Sequence, residues 1–95
     1  TSEIKKPNSE QQIKIEVINY SQNEYKLSCS MNHCEKLTID LYDINGRKID
    51  RLYDGYPNSR NFELNINTDK LIDGFYFINA FSKNFSIVKK FVLIY

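Results

Sequence analysis

Seven short segments of this chain alternate apolar with polar residues, and a turn signal follows each of the first six. Alternation with a period of two is typical of β-strands with one buried face, because successive side chains point to opposite faces of a sheet. The breaks recur about every eight to twelve residues, which leaves no room for an amphipathic helix of ordinary length. The predicted strands span residues 12–19, 24–30, 36–43, 47–53, 62–67, 75–81 and 85–95.

This pattern predicts an all-β fold, an Ig-like Greek-key β-sandwich of about seven strands. A five-stranded barrel of the oligonucleotide-binding kind is the alternative. Ninety-five residues are enough for one domain with one modest core. Residues 1–11 are polar and contain Pro7, so we expect a linker or a tag remnant there and the folded domain over residues 12–95.

Each predicted strand has a face that should point into the core. In the third strand Leu37, Ile39 and Leu41 are expected inward and Asp40 outward. In the fourth strand Ile49 is the clearest inward residue. The other expected inward residues are Ile13, Ile15, Val17, Tyr25, Leu27, Cys29, Phe62, Leu64, Ile66, Tyr76, Ile78 and Ala80.

Two turn motifs bear on the fold directly. Asn45-Gly46 lies between two strands and predicts a hairpin with a type I′ turn, which needs positive φ at both central residues. Leu71-x-x-Gly74-x-Tyr76 has the form of a tyrosine corner, in which a tyrosine hydroxyl bonds to the backbone a few residues upstream. Gly74 would adopt the backbone angles of the corner, and Leu71 would plug the core.

Charge and cysteine content limit the function classes. A net charge of +1 argues against nucleic acid as a partner. No apolar run approaches the ~18 residues of a membrane span, and nothing indicates a cofactor. Cys29 and Cys34 are predicted to flank a four-residue hairpin loop, where a disulfide or, with His33, a zinc half-site would be the alternatives. The half-site lacks two further ligands, and His33 is expected in solvent.

Catalytic and ligand-binding alternatives have little support in the sequence. No Ser-His-Asp or Cys-His-Asn pattern is present, and Asp40 and Asp43 should face opposite sides of a strand. The Asp-Gly pairs lack the spacing of a calcium loop and are expected to form turns. Four aromatic residues are either part of the packing or a platform for a glycan or for bases: Tyr53, Tyr56, Phe81 and Phe85.

Five short motifs follow one another along residues 36–95: Tyr42-Asp43, Asn45-Gly46-Arg47, Leu71-x-x-Gly74-x-Tyr76, Lys89-Lys90 and Val92-Leu93-Ile94. In the order and spacing of these motifs the segment resembles the C-terminal sorting domain (type A) of the Bacteroidetes type IX (Por) secretion system. The family's usual opening Tyr-Pro-Asn-Pro motif is replaced here by Val17-Ile18-Asn19-Tyr20-Ser21.

The resemblance implies a non-catalytic signal that directs a preceding cargo domain through the periplasm to the cell surface or the medium. Its partners would be translocon and sortase components. Recognition would use the terminal strand, with Lys89, Lys90, Phe91, Val92, Leu93 and Ile94 as its residues. The two lysines have a second interpretation, because lysine on an exposed strand discourages pairing between sheet edges. A structural or carbohydrate-binding accessory module of a secreted surface enzyme is the alternative function.

Overall fold

The computed structural model describes residues 13–21, 24–69 and 71–94. These residues form seven β-strands and no helix, which confirms the all-β prediction. Residues 1–11, predicted to be a linker or tag remnant, lie outside the described residues. No helix in the described ranges is long and apolar enough to cross a membrane. The strands are β1 (Ile13–Ser21), β2 (Glu24–Met31), β3 (Leu37–Tyr42), β4 (Lys48–Gly55), β5 (Asn61–Ile66), β6 (Gly74–Phe81) and β7 (Ser86–Leu93).

The strands form two antiparallel sheets that pack face to face. The first sheet has the order β1-β2-β5 and the second has the order β4-β3-β6-β7. The chain changes sheet after β2, after β4 and after β5, which is a Greek-key arrangement. At one side of the sandwich β1 meets β7, and at the other side β4 meets β5. The terminal strand β7 is therefore an edge strand.

The core lies between the two sheets and confirms most of the predicted inward faces. Leu27 of β2 in the first sheet is fully buried, and so are Leu37, Ile39 and Ile78 of the central strands β3 and β6 in the second. Burying each such side chain contributes roughly 1.5–3 kcal/mol to the free energy of folding. The buried apolar set is Ile13, Ile15, Tyr25, Leu27, Cys29, Met31, Leu37, Ile39, Leu41, Ile66, Tyr76, Ile78, Ala80, Phe91 and Leu93.

The prediction that Ile49 points inward is wrong. Its side chain is 39% exposed. The register between β3 and β4 shifts at two points. At the second of them Leu41 faces Asp50 while the next residue, Tyr42, faces Lys48, so that Ile49 has no partner. Ile49 is the extra residue of this irregularity, and an extra residue reverses the faces of the strand beyond it. Leu52 and Tyr53 pack against the core from β4 instead.

The β3–β4 hairpin is confirmed, but its turn is not the predicted two-residue type. The Gly46 amide donates to the Asp43 carbonyl at 3.0 Å, so Ile44 and Asn45 are the central residues of the turn. The Asp43 carboxylate accepts from the amides of Asn45 and Arg47, both at 2.9 Å, and these bonds favour the longer loop. Gly46 follows the turn with φ +83°, a conformation that side chains rarely adopt.

The predicted hairpin between the two cysteines is also wrong, because β2 and β3 belong to different sheets. Cys29 lies inside β2 and is buried, whereas Cys34 is exposed in the connection that crosses the sandwich. Both thiols are free in this structure. The residues of β2 continue to Met31, which places Cys29 well before the connection rather than at its edge.

The two thiols should differ in reactivity. Burial raises the pKa of Cys29 from its ordinary 9.0 to about 12, and only a thiolate is an effective nucleophile. We expect a thiol reagent to modify Cys34 in the native protein and Cys29 only after unfolding. Between pH 9.0 and about 12 the unfolded thiol loses its proton and the native one keeps it, so stability should fall as pH rises.

Titration with a chromogenic disulfide reagent, in native buffer and in denaturant, measures this difference. Cys34→Ser serves as the matched variant because it leaves Cys29 as the sole thiol. Rapid reaction of the native Cys34→Ser protein would show that Cys29 is accessible to the reagent, which contradicts its burial in β2.

Asp40 points outward from the sandwich, as the alternation predicts, but it is 2% exposed. Arg51 on the neighbouring strand covers it: its Nε donates to Oδ1 at 2.9 Å and its Nη2 donates to Oδ2 at 3.3 Å. The Asp40 carboxylate raises the pKa of the Arg51 guanidinium through these bonds. The pair satisfies a buried carboxylate on the outer face of the second sheet.

Candidate functional site: the terminal strand

The predicted tyrosine corner is present at the start of β6. The Tyr76 hydroxyl donates to the carbonyl of Ile72 at 2.6 Å, across the connection from the first sheet to the second. Gly74 has φ +149°, and Leu71 packs against the core. The corner therefore fixes the angle at which the chain enters β6, the direct neighbour of the terminal strand.

Replacement of Tyr76 by phenylalanine should lower the free energy of unfolding by about 1–3 kcal/mol, because a partly buried carbonyl loses its hydrogen-bond donor. The ring remains, so the packing of the core is unchanged. Urea unfolding followed by circular dichroism measures the effect. Tyr56→Phe is the matched control, since Tyr56 is 70% exposed and its hydroxyl bonds to no described residue. Equal free energies of unfolding for the two variants would show that the hydrogen bond of the Tyr76 hydroxyl does not stabilise the domain.

Tyr76 also connects the corner to the terminal strand. It faces Phe91 of β7 in the strand register, and the two ring centroids are 5.7 Å apart. The Tyr25 ring of the opposite sheet lies 6.4 Å from the same Phe91 ring. The Tyr25 hydroxyl also donates to the carbonyl of Ile94 at 3.3 Å. Aromatic contacts from both sheets therefore hold the end of β7 in place.

The six residues predicted for recognition divide into two rows on β7. Phe91 and Leu93 point into the core and are buried. Val92 and Ile94 lie in the outward row and are 44% and 63% exposed, and Val88, further back in that row, is 62% exposed. We call this face of the edge strand the outward row: Val88, Lys90, Val92 and Ile94. Three of its four side chains are exposed, β-branched and apolar.

The two lysines differ in position, as the alternation of the strand requires. Lys89 faces Ile78 in the register and belongs to the inward row, yet it is exposed because β7 has no described strand on its other side. Lys90 lies in the outward row, and its Nζ is 5.1 Å from the centroid of the Phe75 ring. A charged residue in the inward row of an edge strand is a recognised protection against edge pairing.

A second exposed apolar surface adjoins the outward row at one end of the sandwich. Ile44, Ile49, Ile72 and Phe75 are all exposed and line one pocket of about 540 Å³. Phe75 faces Val92 in the register, and both side chains are exposed, so the apolar surface continues from the pocket onto β7. We call these four residues the end patch. Sequence reasoning missed this surface, because it forms only when the β3–β4 turn and the tyrosine corner meet at the same end.

The remaining candidates from the sequence lie apart from the terminal strand. Tyr53 packs on Phe62 with ring centroids 5.5 Å apart, and Phe85 also packs against the core. Tyr56 and Phe81 instead line one groove at the other end of the second sheet. His33 is exposed. Within residues 13–21, 24–69 and 71–94 no group of three or more His, Cys, Asp or Glu side chains could hold a metal ion.

A sandwich of seven antiparallel strands with a tyrosine corner at the start of β6 defines an Ig-like module. The model of the secretion system C-terminal sorting domain matches residues 19–94 of the 95-residue chain. The chain belongs to this family, the C-terminal sorting domains of the Bacteroidetes type IX secretion system. Comparisons with curated proteins and with solved structures give no significant match.

Proposed function

We infer that the domain acts as a type IX sorting signal that directs a cargo protein to the cell surface, and its membership of the family supports this. We propose that translocon and sortase components recognise it through the outward row of β7. On this proposal the cargo domain precedes residue 12, and the protein passes through the periplasm before it reaches the surface or the medium. The domain itself performs no catalysis.

The observation that supports this proposal is that β7 has one buried row of side chains and one exposed row. Phe91 and Leu93 fix the strand in the core, while Val88, Val92 and Ile94 expose apolar groups to solvent. Exposed apolar surface on a small domain is costly in solubility and is typical of interaction sites. The end patch extends the same surface, so a partner that contacts Val92 would also reach Phe75.

Main-chain pairing along the free edge of β7 is the mode of binding that fits this geometry. An edge strand offers a row of unpaired amide and carbonyl groups, and added strands gain specificity from alternate side chains. Lys89 beside that edge would oppose pairing with a second copy of the domain. Lys90 would instead be contacted by the partner together with its neighbours in the outward row.

The test is export of a fluorescent reporter fused to the intact chain in a bacterium with a working type IX system. Reporter outside the cell in the working strain, and inside the periplasm in a strain with a disabled translocon, is the expected result. Equal export from both strains would contradict the proposal. Deletion of residues 89–95 is a poor probe, because it also removes Phe91 and Leu93 from the core.

The alternative, a structural or carbohydrate-binding accessory module, depends on different surface residues. It requires an exposed aromatic side chain in a groove and does not require the outward row of β7. Tyr56 provides such a side chain, far from the end patch. Loss of export upon changes confined to the outward row would favour the sorting signal, and failure of the intact fusion to leave the periplasm of the working strain would favour the accessory module.

A further inference from the structure

A groove of about 460 Å³ lies at the end of the second sheet opposite to the end patch. It forms where β3 begins and where β4 and β6 end, because Thr38 faces both Asp54 and Phe81 in the register. We define the aromatic groove by six of its lining residues: Glu35, Lys36, Thr38, Tyr56, Phe81 and Lys83.

The aromatic groove has an exposed ring and a partly buried one. Tyr56 is 70% exposed, the highest value among the aromatic side chains of the described ranges. Phe81 is half-buried on the outer face of β6. A ring so exposed gains little from packing within the domain, and its face remains available to the C–H groups of a ligand.

The charges of the groove leave a positive excess. Glu35 accepts a hydrogen bond from the Asn84 side-chain amide at 2.8 Å. Lys36 and Lys83 form no ion pair with any described residue, so both ammonium groups are available to a ligand. One carboxylate and two ammonium groups in the lining leave an excess of one positive charge, which favours a ligand with a negative charge.

Hydroxyl recognition is also available in the groove. The Thr38 hydroxyl donates to Asp54 at 3.2 Å, which leaves its oxygen lone pairs free to accept from a ligand O–H. Asp54 in turn lies 3.8 Å from Arg51, so its charge is compensated within the domain. Ser82 adds a second hydroxyl to the lining, and its side chain accepts from the amide of Asn84 at 3.0 Å.

We infer that the aromatic groove binds an acidic saccharide. A pyranose ring would stack its C–H face on Tyr56, its carboxylate would lie between Lys36 and Lys83, and its hydroxyls would bond to Thr38 and Glu35. Few other ligands combine an apolar ring face, several hydroxyls and one negative charge. This inference is independent of the sorting function, since the groove and the outward row of β7 share no residue.

The test is a titration of the isotope-labelled 95-residue chain with tetragalacturonate, followed by amide chemical shifts. The matched ligand is the fully methyl-esterified tetramer, which keeps the rings and removes the charge. We expect shifts confined to the aromatic groove and affinity at least about tenfold weaker for the ester. Shifts that are absent or scattered over the surface, or equal affinities for the two ligands, would overturn the inference.

Variants assign the binding to particular side chains. Tyr56→Ala should weaken binding by about tenfold or more, whereas Tyr56→Phe should retain it because the ring is unchanged. Lys36→Ala and Lys83→Ala should each weaken binding of the acid and not of the ester. Tyr20→Ala, which removes an exposed ring from the other sheet, is the control. Binding that survives Tyr56→Ala would overturn the inference.

Discussion

Replacement of Leu93 by alanine should lower the free energy of unfolding by about 2–5 kcal/mol, the range expected for a fully buried leucine. Leu93 is 0% exposed although it lies almost at the end of the described chain. It faces Gly74 in the strand register, and a glycine has no side chain that could fill the space left by the substitution. The terminal strand is therefore part of the core and not an appendage to it.

Urea unfolding followed by circular dichroism measures this loss. Val92→Ala is the matched control, because it removes apolar atoms from the adjacent residue of the same strand but from its exposed face. That control should change stability by no more than about 0.5 kcal/mol. Since small domains are stable by only about 5–15 kcal/mol, the Leu93 variant should be markedly easier to unfold. Equal losses for the two variants would mean that β7 is not anchored by its inward row.

Much of the fold could be predicted from the sequence, because alternation depends only on local order. All seven predicted strands are present, with ends that differ by at most a few residues, and the Leu71-x-x-Gly74-x-Tyr76 motif forms the expected corner. The corner was predictable because its hydrogen bond joins residues four apart in the chain.

Three differences from the sequence prediction depend on how distant segments are paired. Ile49 faces outward because β4 shifts its register against β3, and no local signal marks that shift. The cysteine hairpin failed because the chain changes sheet after β2. The burial of Asp40 depends on Arg51 of the neighbouring strand.

The strand that holds the candidate site could be predicted, but which of its side chains are buried and which are exposed could not. The resemblance pointed to the last strand as a whole. Only the packing separates the buried Phe91 and Leu93 from the exposed Val88 and Val92. The end patch and the aromatic groove were not predictable, because each combines the ends of several strands.

Substitution of the outward row should abolish export without unfolding the domain. The variant replaces Val88, Val92 and Ile94 by threonine, which keeps β-branching and strand propensity while it removes apolar surface. All three side chains are exposed, so each change should cost no more than about 0.5 kcal/mol of stability. The hydrogen bonds between Ile94 and Tyr25 use the backbone of Ile94 and should survive.

The matched control makes similar changes on the other sheet, where Ile18 and Tyr20 of β1 are replaced by threonine. Both variants are checked for native circular dichroism and for a cooperative urea transition before their export is compared. This comparison separates recognition of β7 from its contribution to folding, which a deletion of the tail cannot do.

The decisive measurement is the amount of fluorescent reporter released by cells with a working translocon that carry the original chain, the outward-row variant or the β1 control. Recognition through the terminal strand predicts release for the original chain and the control, and reporter retained in the periplasm for the folded outward-row variant. Normal release of that variant would show that the translocon does not read the outward row of β7.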